Sequence, residues 1–347
     1  MKKILNLFVS ASLLSLVACG NLSETDCLNV SLGDFKESLE LKAENLELDS
    51  IWKPDRIFCD DAFLLISDKT CKEHVTVFDI SNGEILSNNV PNGAGPGESL
   101  ISWSLQKFGD NIYSYDPMQK KLWEYKYDDF VTRSHISPLG SVEFDDNCIY
   151  VVKTKPNQFV TITLSDSDNL LTKFDDKGHK LNDVVTPFPD VVKTNFSEDS
   201  NLKGVYTARL YYSDVNDKII VTYDYIDLFD IYDSSLNLQN RVYGPFHLQP
   251  DVQCEGAACY LSDDSKYAYE GCFMTSDKIY MLYSGLTDDE EDEQFPNQIL
   301  VFDFNGNPIS HYTLDVPVYG MCVSEKNKSI YGLAHNPECC VVKFKYE

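Results

Sequence analysis

Between Cys272 and Tyr312 the chain sets out four short strands separated by two turns and one acidic loop. Cys272-Phe273-Met274-Thr275 turns at Ser276-Asp277-Lys278 into Ile279 to Tyr283. After the loop, Ile299 to Phe304 turns at Asn305-Gly306-Asn307-Pro308 into Ile309 to Tyr312. β-Branched and aromatic runs bounded by Asp, Asn and Gly are strand and turn chemistry. Such a meander has two faces to bury and two edges to protect, and no neighbouring helix pattern to do either. It constrains the chain to stack copies of the same unit.

The copies are present. Strand, turn, strand recurs at Arg56 to Ser67, Gln106 to Tyr115, Leu210 to Tyr223 and Met321 to Leu333. A second hairpin follows at Val75 to Ile85, Leu122 to Phe130, Leu171 to Leu181 and Leu228 to Leu236. Taking the inner strands to begin near Phe63, Ile112, Phe159, Ile219, Ile279 and Ile330 gives intervals of 49, 47, 60, 60 and 51 residues. A four-stranded propeller blade takes roughly 40–50 residues, more with loops. The spacing predicts an all-β chain of six four-stranded antiparallel blades. Cys148 to Val152 competes with Phe159 to Leu164 for the third blade; because only one outer hairpin follows the pair, six blades are expected rather than seven. The chain ends in Cys340 to Tyr346, which matches a third strand with no fourth after it. Leu39 to Leu46 is expected to supply that fourth strand, so that N- and C-terminal strands pair and close the ring.

The first residues read differently. Lys2 and Lys3 precede a short apolar run, Ile4 to Val17, which is too short to span a bilayer. Leu16-Val17-Ala18-Cys19 resembles the lipobox of bacterial lipoproteins. That resemblance implies cleavage before Cys19, acylation of Cys19, and attachment to the membrane through a lipid anchor. The organisation expected is a signal peptide over 1–18, a tether over 19–33 and the propeller over 34–347. Gly20 in place of Asp at the second mature position points to the outer membrane of a bacterial envelope. Loss of Lys2 and Lys3 takes the formal net charge from −26 to −28, which argues against nucleic acid as a partner. A monomer is expected.

Together the lipobox, the aromatic-Asp-x-x-Gly hairpin of Phe302 to Gly306 and the loop Asn92-Gly93-Ala94-Gly95-Pro96-Gly97-Glu98 resemble the six-bladed, TolB-like β-propeller lipoproteins of bacteria. The loop is similar to that family's Gly-x-Gly-Pro-Gly-Glu. The resemblance spans nearly all of the mature chain and implies a fold and an envelope location, but no particular activity.

Gly93, Gly95, Pro96, Gly97 and Glu98 are the candidate site for a ligand or partner. Three Gly and a Pro let backbone amides converge as an anion-accepting nest. The competing reading is a tight crossover between blades one and two, with Glu98 accepting backbone hydrogen bonds. Asp288 to Glu293 are six consecutive acids without the spacing of a calcium loop, so a solvated loop is expected. The six His are scattered, and no catalytic set, metal site or cofactor motif is expected. Of the eleven Cys, Cys148, Cys272 and Cys322 read as core residues, and Cys254 with Cys259 as a disulfide candidate. The favoured function is a non-catalytic binding or scaffold module for a protein, peptide or glycan. The alternative is a metal-dependent hydrolase or lyase with its site in the pore, which the fold also accommodates.

Overall fold

A computed structural model describes residues 27–49, 51–164, 169–181, 186–192, 196, 202–291, 294–335 and 338–346. The expected signal peptide and Cys19 lie outside the described residues. Six antiparallel sheets form six blades. Blade one comprises Arg56–Cys59, Phe63–Ser67, Glu73–Asp79 and Ile85–Pro91; blade two Ser104–Phe108, Asn111–Asp116, Lys121–Lys126 and Gly140–Glu143. Blade three comprises Cys148–Thr154, Gln158–Thr163, Thr172–Phe174 and Lys180–Leu181; blade four Ala208–Ser213, Lys218–Tyr223, Leu228–Asp233 and Leu238–Tyr243. Blade five comprises Tyr269–Met274, Ile279–Tyr283, Gln298–Phe302 and Pro308–Leu314; blade six Gly320–Ser324, Ser329–His335, Cys339–Lys345 and Ala43–Leu46.

Both candidate strands of blade three belong to it, paired with each other. The strands expected at Phe63, Ile112 and their equivalents stand second from the axis, because the chain enters each blade at its axial edge. Those second strands carry the core: Ile279 to Tyr283 are all buried. The axial strands stay half-exposed at Phe58, Gln106, Tyr150, Tyr211 and Cys272; Cys272 packs against the core from the axial side, partly rather than fully buried. Cys148 and Cys322 are buried as expected. Part of the long interval before Ile279 is an extra hairpin, Val252–Glu255 with Ala258–Leu261, joined by a Cys254–Cys259 disulfide.

Outer hairpins share one turn. The Asp303 carboxylate accepts the amides of Asn305 and Asn307, and Gly306 follows at φ 82°. In blade four the Asp233 carboxylate accepts Ser235 and Asn237, and the left-handed residue is Leu236 at φ 66°. That geometry costs a non-Gly residue about 1–2 kcal/mol, which burial of the Leu236 side chain offsets.

Blade two departs from expectation. Phe130 was expected in a hairpin strand, but Tyr127–Thr132 is a short helix burying Tyr127, Phe130 and Val131. Their i, i+3, i+4 spacing gives one apolar face, and Asp128 and Asp129 favour the helix N-terminus. Blade one holds its far end. Asn89 Nδ2 donates to the carbonyls of Phe130 (2.8 Å) and Arg133 (2.9 Å), and Ser87 Oγ donates to Phe130 (2.7 Å).

The N-terminal segment closes the ring as expected, but with a different division of residues. Only Ala43–Leu46 completes blade six, with Leu46 opposite Val341 and Ala43 opposite Phe344. Glu37–Leu41 instead runs parallel to Pro308–Leu314 as a fifth strand on blade five. Leu28–Asn29 runs parallel to the outer strand of blade four. Cys27 and Val30 are buried, so residues 27–30, expected in the tether, lie against the outer edge of blade four, while Ser31, Leu32 and Gly33 are exposed. Phe35 sets its ring edge-on to Phe302 at 5.5 Å.

Deleting residues 20–47 is expected to lower the melting temperature sharply and cause aggregation, because it unpairs the outer edges of three blades. Leu41→Ala, which removes a side chain that is 3% exposed, should alone cost about 2–5 kcal/mol. Thermal unfolding checks both, and a truncated chain melting like the parent would contradict the closure.

Candidate functional site

The chain re-enters each blade at one end of the ring, where the turns between second and third strands also emerge. An aspartate at the end of the second strand clips this crossover in two blades. The Asp68 carboxylate accepts the amides of Trp52 and Lys53, and that of Asp116 accepts Leu100 and the Ser99 hydroxyl. Asp224 holds the same register in blade four: Tyr223, like Ser67 and Tyr115, ends the ladder opposite the first residue of the axial strand.

Asp224 is put to a different use. Its Oδ1 accepts Arg209 Nε at 2.9 Å. Arg209 Nη2 reaches Glu270 Oε2 at 3.0 Å, and its Nη1 donates to the Glu270 carbonyl. Arg209 lies on the axial strand of blade four and Glu270 on that of blade five. One guanidinium thus ties two blades together at the channel mouth. Burial pushes the Asp224 carboxyl up to about 6, against the pull of Arg209. Burial is the largest effect on Arg209 and acts against its charge, yet Asp224 and Glu270 hold it well above its ordinary value.

Around this network the mouth is aromatic and charged. Arg56 lies over the Trp103 ring at 4.6 Å and donates to the Asp55 and Trp103 carbonyls. Trp103 and Tyr150 have ring centroids 6.1 Å apart. Burial raises the Tyr150 hydroxyl and the Asp55 carboxyl above their ordinary ranges. Arg56 forms no ion pair with a carboxylate among the described residues. Asp55 Oδ1, Glu270 Oε1 and Trp103 Nε1 have no hydrogen-bond partner among them either. Each such buried group costs about 1–3 kcal/mol. The Arg241–Asp230 pair shows the structural contrast. It is buried, with Nε to Oδ1 at 2.7 Å, and its carboxylate is completed by the Tyr223 and Tyr232 hydroxyls.

Gly93 to Glu98 lies in the crossover from blade one to blade two, at this same end. Glu98 folds back and its Oε2 accepts the Gly95 amide at 2.8 Å, so the loop's own carboxylate occupies the nest. Gln119 Nε2 donates to the carbonyls of Gly93 and Glu98. A Cβ on Gly93 or Gly95 would collide with the Glu98 carboxylate, and Gly97 sits at φ 80° beside Pro138. The geometry accounts for the Gly residues by close approach of the loop to itself. The acidic run forms a helical turn over Asp288–Glu291, with the Thr287 amide donating to Glu290; residues 292 and 293 lie outside the described residues. Among the described residues no three His, Cys, Asp or Glu side chains converge as a metal-ligand set, and no helix is long and apolar enough to cross a membrane.

Residues 34–326 match the protein family described as TolB-like 6-blade propeller-like. Three solved structures share the fold. An exported protein of Bacteroides fragilis aligns at 13% identity over 91% of this chain and 98% of its own, with a TM-score of 0.56. A duf4221 family member from Bacteroides vulgatus aligns at 11% over 89% and 96%, with a TM-score of 0.57. The Pan2 WD40 domain of Neurospora crassa aligns at 10% over 89% and 95%, with a TM-score of 0.50. At such identities the likeness is one of fold alone. No curated protein matches the sequence.

Two outcomes are expected here. Gly95→Ala should lower the melting temperature, and Glu98→Ala should remove most of that loss in the double variant, because the collision needs both groups. Additive losses would contradict the self-filled nest. Asp224 titrates near 6 in the fold against an ordinary 3.8. Its protonated form therefore contributes stability that is complete below 3.8 and lost as pH rises through 6. Asp224→Asn, which cannot ionise, should gain melting temperature relative to the parent between about pH 4 and pH 7. A difference that stays constant with pH would contradict the assignment.

Proposed function

The chain belongs to the TolB-like six-bladed propeller family, and from that premise we propose that it is a non-catalytic binding module of the bacterial envelope, with its ligand site at the channel mouth. The observation that carries the reading is the Arg209–Asp224–Glu270 network, set where the axial strands remain half-exposed rather than sealed in the core. A closed structural pair such as Arg241–Asp230 needs no access; this one lies beside an arginine with spare donors and two carboxylates with unpartnered oxygens.

The fitting ligand carries a carboxylate for Arg56, a hydroxyl or ammonium donor for Glu270 or Asp55, and a flat or apolar face for Trp103 and Tyr150. A short peptide meets all three requirements; an acidic or amino sugar is the second class that does. The loop Gly93 to Glu98 stands at the same end of the ring and is proposed to contact a larger partner, its shape preset by Glu98. Three observations support the envelope setting: the short apolar run ending at Cys19, the disulfide in the extra hairpin, and the likeness to an exported Bacteroides protein. The proposed attachment is a lipid on Cys19 in the outer membrane.

The test is affinity capture from a bacterial envelope extract with the parent chain, Arg56→Gln and Glu270→Gln, followed by mass spectrometry of bound peptides and glycans. Arg56→Gln should melt near the parent temperature and Glu270→Gln below it, because Arg209 loses a charged partner; per folded molecule, both should lose at least about tenfold of the captured ligand. Equal capture by all three chains would rule out the mouth as the site.

A further inference from the structure

A second chemical grouping lies in blade six at the same end of the ring and plays no part in the proposed ligand site. His335 ends the second strand and Cys339 opens the third, and the ladder register sets the two directly opposite each other. Their side chains meet, with Cys339 Sγ 2.7 Å from His335 Nε2. Strand pairing places the thiol on the imidazole, so their meeting follows from the sheet itself. His335 is exposed and Cys339 half-exposed, so small molecules reach both. Aromatic rings frame the imidazole: Phe295 lies 5.8 Å and Tyr319 6.0 Å from it, with 5.1 Å between the two.

The other free thiols have different surroundings. Cys59 and Cys322 are buried, and burial pushes the thiols of Cys148, Cys272 and Cys322 up from their ordinary value. Cys71 is reachable, but burial and then Asp68 raise it. Cys340, next in the strand, is directed to the Ala334 carbonyl at 3.7 Å. Cys339 alone among these has an imidazole nitrogen in contact with its sulfur.

We propose that Cys339 is a nucleophilic thiol, with His335 as its base, that exchanges with small disulfides carrying ammonium groups. The Cys339 proton passes to His335 Nε2, and the thiolate attacks one sulfur of the disulfide. A new bond joins that sulfur to Cys339, the original S–S bond breaks, and the departing thiolate takes the proton from the imidazolium. The small disulfide is the oxidant, and one thiol leaves for each mixed disulfide formed. Exchange at sulfur needs a thiolate and a proton acceptor but no oxyanion donors, which is what this pair supplies. The charge preference follows from the surroundings: Glu338 is exposed beside the thiol, Asp55 acts on Tyr319, and the chain carries a formal charge of −26.

The experiment treats the reduced, desalted full-length protein with cystamine and, separately, with oxidised glutathione, and follows each cysteine by peptide mass mapping. Cys339 should form the mixed disulfide at least about tenfold faster than Cys71, and faster with cystamine than with glutathione. His335→Gln should slow the reaction about tenfold near pH 7 and have little effect near pH 10, where hydroxide from the solvent can take the proton in place of the imidazole. The other titratable groups about the pair, Tyr319, Asp55, Glu338 and Cys340, are unchanged in that variant, and its melting temperature should match the parent. Equal rates at Cys339 and Cys71, or a His335→Gln rate equal to the parent at both pH values, would overturn the base assignment. A faster reaction with glutathione would overturn the cationic class.

Discussion

Four hydrogen-bonded residues, Ala43 to Leu46 against Val341 to Phe344, are the closure on which the ring depends. Without them the last blade has three strands and one open edge. The stacked faces of blades six and one then lose the frame that holds them together. The fold adds to this closure in an unusual way. The segment before it lies along the outer edges of blades four and five in parallel register, so one strap covers the rims of three successive blades. Buried Cys27, Val30, Phe35 and Leu41 attach it by side chains as well as by backbone.

The channel mouth grows out of the same repeat. Aspartates at the end of the second strand hold the incoming crossover in blades one and two, which is a structural task repeated by register. Blade four keeps the aspartate and changes its partner to Arg209, whose other end bonds the neighbouring blade. A repeat protein can acquire a site in this way without disturbing its scaffold: of the three aspartates at this register, one has a different partner while the backbone keeps its course. The Cys339–His335 pair has the same origin, since any two residues facing each other across a hairpin are brought within reach.

Strands and turns were readable because Asp, Asn and Gly recur at fixed offsets from β-branched runs, and closure was readable because Cys340 to Tyr346 reads as the third strand of a blade and Leu39 to Leu46 as a spare strand. The strap was harder. Leu39 to Glu44 alternates apolar and charged residues straight through Lys42, yet Lys42 separates two strands that belong to different blades; alternation reports burial but not the identity of the partner. Tyr127 to Thr132 resembled hairpin residues because six residues are too few to show a helical period. The mouth was not legible at all. Arg209 lies 15 residues from Asp224 and 61 from Glu270, and only the ring geometry brings them together. The one signal available was the recurrence of Asp at the end of the second strand, at 68, 116 and 224, which reads locally as turn chemistry. Gly93 to Glu98 was legible as a special loop, but whether its amides face outward or onto Glu98 depends on a side-chain rotamer that spacing does not encode.

The strap also sets an order on biosynthesis. Its strands leave the ribosome well before their partners in blades four, five and six. During translation the early strands have exposed edges and no native neighbour, and contacts this distant in sequence form slowly. The early strands therefore need protection during synthesis until blades four, five and six have followed them.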